Sequence, residues 1–276
     1  MNKQNILEKK YNFLRPIKTN NLIRLGRKMD RGYIVDCNII NNADILITFG
    51  LGDGSQIPDQ WSFELDFIKR NKKLSIFAYD YTVSTSSYIK KIWKYLRRFL
   101  TFRASLDAVK IRLKNYHEYI KFMKLDNVKF YREKIIYPIK NKIDTDIKKV
   151  FSRIVNNSEV ILKCDIEGNE YLIIDQILEY SNRINMFIFE FHWIDKKEDI
   201  FVESVKKLQS RFEIIHIHAN NHFQTLKNGL PIILEITLIN KKFSPDKIEY
   251  VDNFPIKDLD FPNNPFLKDI EFSFRD

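Results

Sequence analysis

From residue 44 onward, short apolar runs alternate with segments of helical periodicity, and this alternation restricts the chain to few architectures. The runs are DILITF (44–49), LSIFAYD (74–80), VKFYRE (128–133), EVILKCD (159–165), NMFIFEF (185–191), FEIIHIH (212–218) and IILEITLIN (232–240). Between them, apolar residues recur at helical spacing: Trp61, Leu65 and Ile68; Ile147, Val150, Phe151 and Ile154; Ile173, Ile177 and Leu178; Val202, Val205 and Leu208. Strands alternating with helices predict βαβ units and a mainly parallel sheet. Only ANNHFQTLKNGLP joins the last two runs, with turn chemistry in Asn228-Gly229 and Pro231. That is too short for a helical crossover, so these two strands are predicted to pair antiparallel. The expected fold is α/β, with a seven-stranded, mainly parallel sheet that ends in an antiparallel hairpin.

Residues 1–43 then form an N-terminal extension packing on the core, 44–243 the main domain, and 244–276 an irregular tail containing Pro245, Pro255, Pro262 and Pro265. A helical insertion, 81–127, separates the second and third strands. In it Ile89, Ile92, Trp93, Leu96 and Leu100 line one face, while Lys90, Lys91, Lys94, Arg97 and Arg98 cover much of the rest. Two readings stand: a lid or contact for an anionic surface, or a packed amphipathic helix with a solvated basic face. The chain carries 46 Lys+Arg against 36 Asp+Glu, a net +10, which favours anionic partners unless it is only a diffuse surface bias. The two cysteines, Cys37 and Cys164, lie in apolar strand-like contexts, which argues against a disulfide framework or a zinc site and fits a reducing, cytoplasmic setting. No apolar run approaches a membrane span, and the first residues are too charged for a secretory leader.

Ligands of open α/β sheets bind outside the carboxyl ends of the strands, and two of those ends are chemically loaded. The first strand ends in Phe49-Gly50-Leu51-Gly52-Asp53-Gly54-Ser55, where glycines let the backbone approach a ligand. The spacing is not that of a dinucleotide fingerprint. The second strand ends at Asp80, placed to accept the ribose hydroxyls of a nucleoside cofactor. The fourth ends in Asp165, with Glu167 in the loop and Glu170 in the first helical turn, where the helix dipole alone would justify a carboxylate. Alternation puts Glu190 and His192 on one side of the fifth strand, and likewise His216 and His218 on the sixth. A histidine there is either a general base or a hydrogen-bonded structural residue. Asp165, Glu190 and His192 also suit a divalent metal, which the spacing does not specify.

The segment ILKCDIEGNEYLIIDQI resembles the Leu-Lys-x-Asp-x-Glu-Gly-x-Glu segment of FkbM-type methyltransferases, whose class I fold has seven strands with a terminal antiparallel hairpin. TFGLGDG…SFELDFIKR…IFAYDYT is similar to their cofactor-binding strands, HIHANN…LPIILEITLIN to the closing hairpin of a bacterial subgroup, and LIRLGRKMDRGYIV to its Arg-x-Gly…Asp-Gly-Gly-Tyr segment, with Arg31 where a glycine is usual. The resemblance implies O-methylation of a hydroxyl on a sugar, sugar phosphate or nucleotide-sugar, as in surface glycan or capsule biosynthesis. The cofactor would be S-adenosyl-L-methionine, leaving S-adenosylhomocysteine. Gly50, Gly52, Asp53, Phe63, Glu64, Asp80 and Asp165 would bind it. Tyr33, Glu167, Glu190, Asn220 and Asn221 would face the acceptor. His192, then His218, would be the base, with Asp165 beside the methyl group. Another small phosphorylated metabolite, or RNA, is the alternative acceptor. Against nucleic acid, the chain lacks an Asn/Asp-Pro-Pro-aromatic motif and a Pro-Cys pair. A binding protein that kept the fold would not need such crowded polar strand ends.

Overall fold

The computed structural model describes residues 5–52 and 60–274. All seven apolar runs are strands: β1 (Ile45–Phe49), β2 (Ser75–Tyr79), β3 (Val128–Tyr131), β4 (Val160–Cys164), β5 (Ile184–Phe191), β6 (Phe212–Ala219) and β7 (Leu234–Asn240). They form one sheet in the order β3-β2-β1-β4-β5-β7-β6. The neighbours among β1 to β5 pair parallel, and β7 is antiparallel to both β5 and β6. The antiparallel hairpin is therefore present, with its return strand inserted between β5 and β6. Phe49 lies opposite both Tyr79 and Cys164, so β1, β2 and β4 end level with one another.

Helices cover both faces, which is why the central strands are almost wholly apolar, with Thr48 and Lys163 as buried exceptions. The seven helices among the described residues are α1 (Cys37–Asn42), α2 (Ser62–Arg70), α3 (Thr85–Leu100), α4 (Leu106–Met123), α5 (Ile147–Ser152), α6 (Ile174–Leu178) and α7 (Ile194–Gln209). Cys37 opens α1 instead of lying in a strand, because the Asp36 carboxylate caps that helix by accepting from the N–H groups of Asn38 and Ile39. Phe201, Val205 and Leu208 of α7 join Phe187, Phe189 and Phe191 of β5 in one core layer. Phe63 and Phe67 of α2 join Leu46, Ile76 and Ile161 in the layer on the other face. The insertion is a hairpin of α3 and α4, each opened by a serine cap, Ser84 and Ser105. No described helix is long and apolar enough to cross a membrane.

On the second face, β5, β7 and β6 carry buried Glu190, Glu235, Thr237, His216 and His218 beside apolar Met186, Ile188 and Ile239, and segments from both ends of the chain meet these polar groups. Residues Leu22–Gly26 and Gly32–Asp36 pair as a hairpin. Arg24 shapes its turn by donating to the carbonyls of Arg27 (2.7 Å) and Met29 (2.9 Å). Thr237 on β7 pins the hairpin by donating to the Ile34 carbonyl at 2.6 Å. The tail, expected to be irregular, contributes Asn253–Phe254 and Phe272–Ser273 to a small sheet with Asn5–Ile6. It is locked down by β6 and its loop: His216 bonds Asp260 (3.1 Å), His218 Nε2 bonds Asp269 (3.2 Å), and Asn221 donates to the carbonyls of Asn264, Leu267 and Lys268.

The tail clamp is pH-dependent. Burial lowers the basicity of His218 and is the largest single influence, but bonding to Asp269 and Glu235 and the charges of Glu235 and Asp260 outweigh it, raising the pKa from 6.5 to about 10. A group whose pKa is raised on folding contributes fully below its unfolded value, and the contribution is lost as pH rises through the folded value. Stability measured by urea denaturation is thus expected to fall between pH 6.5 and about 10, and His218→Gln to reduce that slope.

Candidate active site

The level ends of β1, β2 and β4 open into a cleft of about 480 Å³, lined by Gly50, Gly52, Asp80, Thr82, Asp165 and Glu167 among others. That is within the range of small-molecule sites. Gly50 and Gly52 have φ of +78° and +73°, in the left-handed region that favours glycine. A Cβ on Gly50 would run into the Asp165 carbonyl, and one on Gly52 into the Arg31 guanidinium. Asp80 holds this turn: its Oδ2 accepts from Leu51 N–H (2.9 Å) and Gly52 N–H (3.0 Å), its Oδ1 from Thr82 N–H (2.8 Å) and hydroxyl (2.6 Å). A carboxylate has about four acceptor positions, so the side chain expected to take up a ribose is already committed to the loop. Asp53 lies outside the described residues.

Arg31 reaches the same turn and donates to the Leu51 carbonyl at 3.2 Å. Its own φ is +66°, in the left-handed region that residues other than glycine seldom adopt. Gln60 donates to the carbonyls of Leu51 (2.9 Å) and Gly52. Beneath the turn, buried Lys163 donates to the Gly50 carbonyl at 3.0 Å, lies 3.7 Å from Asp165 Oδ2, and sits 5.2 Å from the centre of the Tyr33 ring. The Tyr33 hydroxyl is 3.5 Å from the same Asp165 oxygen, and Phe63 packs edge-on against Tyr33. Glu64, buried, accepts from the Thr48 hydroxyl at 3.0 Å.

The loop after β4 is organised by Glu170. Its fully buried carboxylate accepts through Oε1 from Ile166 N–H (3.2 Å), Gly168 N–H (3.1 Å) and His192 Nδ1 (2.8 Å). The far nitrogen of His192 faces Asp165 Oδ1 and Glu167 Oε2, each at 3.7 Å. Burial is again the largest influence on this imidazole and lowers its basicity, but the Glu170 bond and the charges of Glu190, Asp165 and Glu170 lift the pKa to about 10. His192 is therefore an imidazolium at neutral pH, a donor and not a ready base. Glu190 is pushed well above the usual carboxylate range, first by burial and then by the Asp165 charge, and its Oε1 accepts from Asn220 at 2.8 Å.

The structure thus brings Tyr33, Asp165, Glu167, Glu190, His192 and Asn220 together, with Asp165 and Glu167 on the cleft wall. It does not bring His218 or Asn221 to the cleft; both are bound to the tail. Asp165, Glu190 and His192 each present a ligand atom within 4.8 Å of the others, and a metal there would have to displace the proton of His192. Four residues lay beyond the sequence-derived set. Glu170 was assigned only to the helix dipole, and Lys163 was readable as the one charge inside an apolar run. Arg31 was marked only as standing where a glycine is usual, and Gln60 carried no signal beyond its place shortly after the glycines.

No family model and no curated protein matches the sequence. Among solved structures, the chain is similar to precorrin-6y C5,15-methyltransferase from Geobacter metallireducens, with 11% identity, 74% of this chain and 85% of that chain covered, and a TM-score of 0.36. It is also similar to TYW2 of M. jannaschii in complex with AdoMet, with 12% identity, 87% and 89% covered, and a TM-score of 0.30. The strand order found here, with β7 antiparallel between β5 and β6, is the α/β arrangement of seven mainly parallel strands with a terminal antiparallel hairpin.

The Glu170–His192 pair can be tested without any ligand. Followed by NMR, the His192 imidazole is expected to titrate at about 10 in the wild type. In Glu170→Gln it should titrate at least about one unit lower. An unchanged value would mean that Asp165 and Glu190 hold the proton unaided.

Proposed function

We propose that the chain is an S-adenosylmethionine-dependent O-methyltransferase acting on a hydroxyl of a sugar, sugar phosphate or nucleotide-sugar. The observation that carries this reading is the position of Asp165. It follows β4 directly, in a sheet of class I strand order, and lines the cleft between Lys163 and the protonated His192. The cleft fits the cofactor: its volume of about 480 Å³ suits a nucleoside of that size, and its walls offer the Gly50–Gly52 turn, Asp80, Thr82 and Asp165. Bound there, S-adenosylmethionine supplies an electrophilic methyl group on a sulfonium. The carboxylate of Asp165 attracts that positive charge. Asp80 acts first as a positioning residue, through the turn.

The acceptor hydroxyl becomes strongly acidic as its oxygen gains the methyl group, so a carboxylate is a sufficient base. In this reading Asp165 takes the proton, while Tyr33, Lys163 and His192 hold it toward the reacting oxygen. His192 changes role from the expected base to an orienting donor, because its proton is held by Glu170. Buried Glu190 and Asn220 offer hydrogen-bonding groups suited to a polyhydroxyl acceptor. Arg31 and the basic balance of the chain favour an acceptor that carries phosphate.

Calorimetry with S-adenosylmethionine or its demethylated product is expected to show binding, and Asp80→Ala to weaken it by roughly 1.5 to 3 kcal/mol. No binding at millimolar cofactor would remove the reading. Acceptors are sought by mass spectrometry across sugar nucleotides and sugar phosphates. With the acceptor in hand, Asp165→Asn should lower kcat by about 100-fold or more. The pH profile separates the two bases: kcat that is flat above neutrality supports Asp165, whereas kcat that climbs toward about 10 returns the role to His192.

A further inference from the structure

The outer face of the α3–α4 hairpin takes no part in the proposed chemistry. Residues 85–103 include six basic side chains and no acidic one. α3 packs inward through Tyr88, stacked on Tyr119 at 4.7 Å, and through Tyr95, whose ring centre lies 4.2 Å from the Arg112 guanidinium. Outward, Ile89, Trp93 and Leu100 fall on one helical stripe, and Phe102 follows at the turn. Trp93 is 59% exposed, Leu100 68% and Phe102 97%. Phe102 also has φ of +57°, an unfavourable conformation for an aromatic residue, with its ring in solvent. Lys90, Lys94, Arg97, Arg98 and Arg103 wall a groove of about 510 Å³ over Ile89 and Trp93.

A solvated basic face has no use for that apolar stripe, which solvent penalises. A nucleic acid would engage the cations and could stack on Trp93 or Phe102, but it would leave Ile89 and Leu100 in water. A bilayer with anionic headgroups satisfies both halves: the stripe enters the acyl boundary while the flanking cations meet phosphate. We infer that the α3–α4 hairpin docks this protein on an anionic lipid surface. The inference does not rest on the methyl-transfer reading, since it concerns vesicle binding alone.

The test uses the full chain and vesicles of phosphatidylcholine containing about one third phosphatidylglycerol. Co-sedimentation is expected, with a blue shift of tryptophan emission that Trp93→Phe abolishes. Pure phosphatidylcholine vesicles should bind at least about 10-fold more weakly. The combined variant Lys90→Gln, Lys94→Gln, Arg97→Gln and Arg98→Gln should lose at least about 100-fold in affinity for the anionic vesicles. Trp93→Ser with Phe102→Ser should lose binding comparably, and since both side chains are exposed the melting temperature of each variant should stay near that of the parent. Equal binding to neutral and anionic vesicles would overturn the inference. So would absence of vesicle binding by the folded chain, with or without salt-sensitive capture of a single-stranded RNA oligonucleotide.

Discussion

The Glu170 carboxylate is fully buried, and one of its oxygens takes three donors: two backbone N–H groups of the loop after β4 and the imidazole of His192. Its other oxygen has no hydrogen-bond partner among the described residues. A buried carboxylate so placed is tolerable only with a compensating charge close by. The proton on His192 supplies that charge. The pair therefore sets two things together: the path of residues 165–168, and with it the direction of Asp165, and the protonation state of the side chain facing Asp165. Glu167 and Gly168 adopt positive φ (55° and 96°) within this loop, and the backbone bonds to Glu170 hold that conformation.

The same reasoning extends across the sheet. Asp165 follows β4, and the cross-strand partners Glu190, Glu235 and His218 share one side of β5, β7 and β6. Three carboxyl groups and an imidazole in one buried region would repel or desolvate one another if all stayed bare and charged. The structure relieves this piece by piece. Glu190, its pKa raised by burial, accepts from Asn220; Glu235 accepts from Asn263 of the tail at 2.7 Å; Lys163 stands beside Asp165; His218 is protonated between Glu235 and Asp269. The tail is thus part of the electrostatic solution of the sheet, which explains why it is ordered against strands so far away in sequence.

This distribution of work accounts for what was legible beforehand. Period-two and helical spacing report which way a side chain faces, so the seven strands, α2, α5, α6 and α7, the antiparallel hairpin and the shared side of Glu190 and His192 could all be read from the chain. Spacing does not report what covers a face. His218 and Asn221 do point away from the main core, but the tail meets them, and nothing in their local pattern distinguishes a tail contact from an acceptor contact. Protonation was hidden for the same reason: His192 looks like a neutral base until the three-dimensional neighbourhood supplies Glu170 on one nitrogen and Asp165 beyond the other. Asp80 was correctly placed at a strand end, yet its four donors come from two loops whose meeting only the fold creates. Lys163 and Glu235 show the opposite case, since a lone charge inside an apolar strand has to be neutralised somewhere and so marks itself.

Asp80 connects the two parts of the molecule that matter most for the readings advanced above. One of its oxygens holds Leu51 and Gly52 at the proposed cofactor end of the cleft; the other holds Thr82, two residues before the Ser84 cap that starts α3. The base of the hairpin and the wall of the cleft are therefore attached to a single carboxylate, with no flexible linker between them. Tyr81 and Thr82, which lead into α3, also line the cleft. A rigid joint of this kind means that whatever orients the hairpin orients the mouth of the cleft with it. Docking of the exposed Trp93–Leu100–Phe102 face on a surface would then present the cleft at a fixed attitude to that surface. The physical requirement for this coupling is small: only the four hydrogen bonds of Asp80 and the capped first turn of α3 need to persist, and both are local to residues 80–87 and the β1 turn.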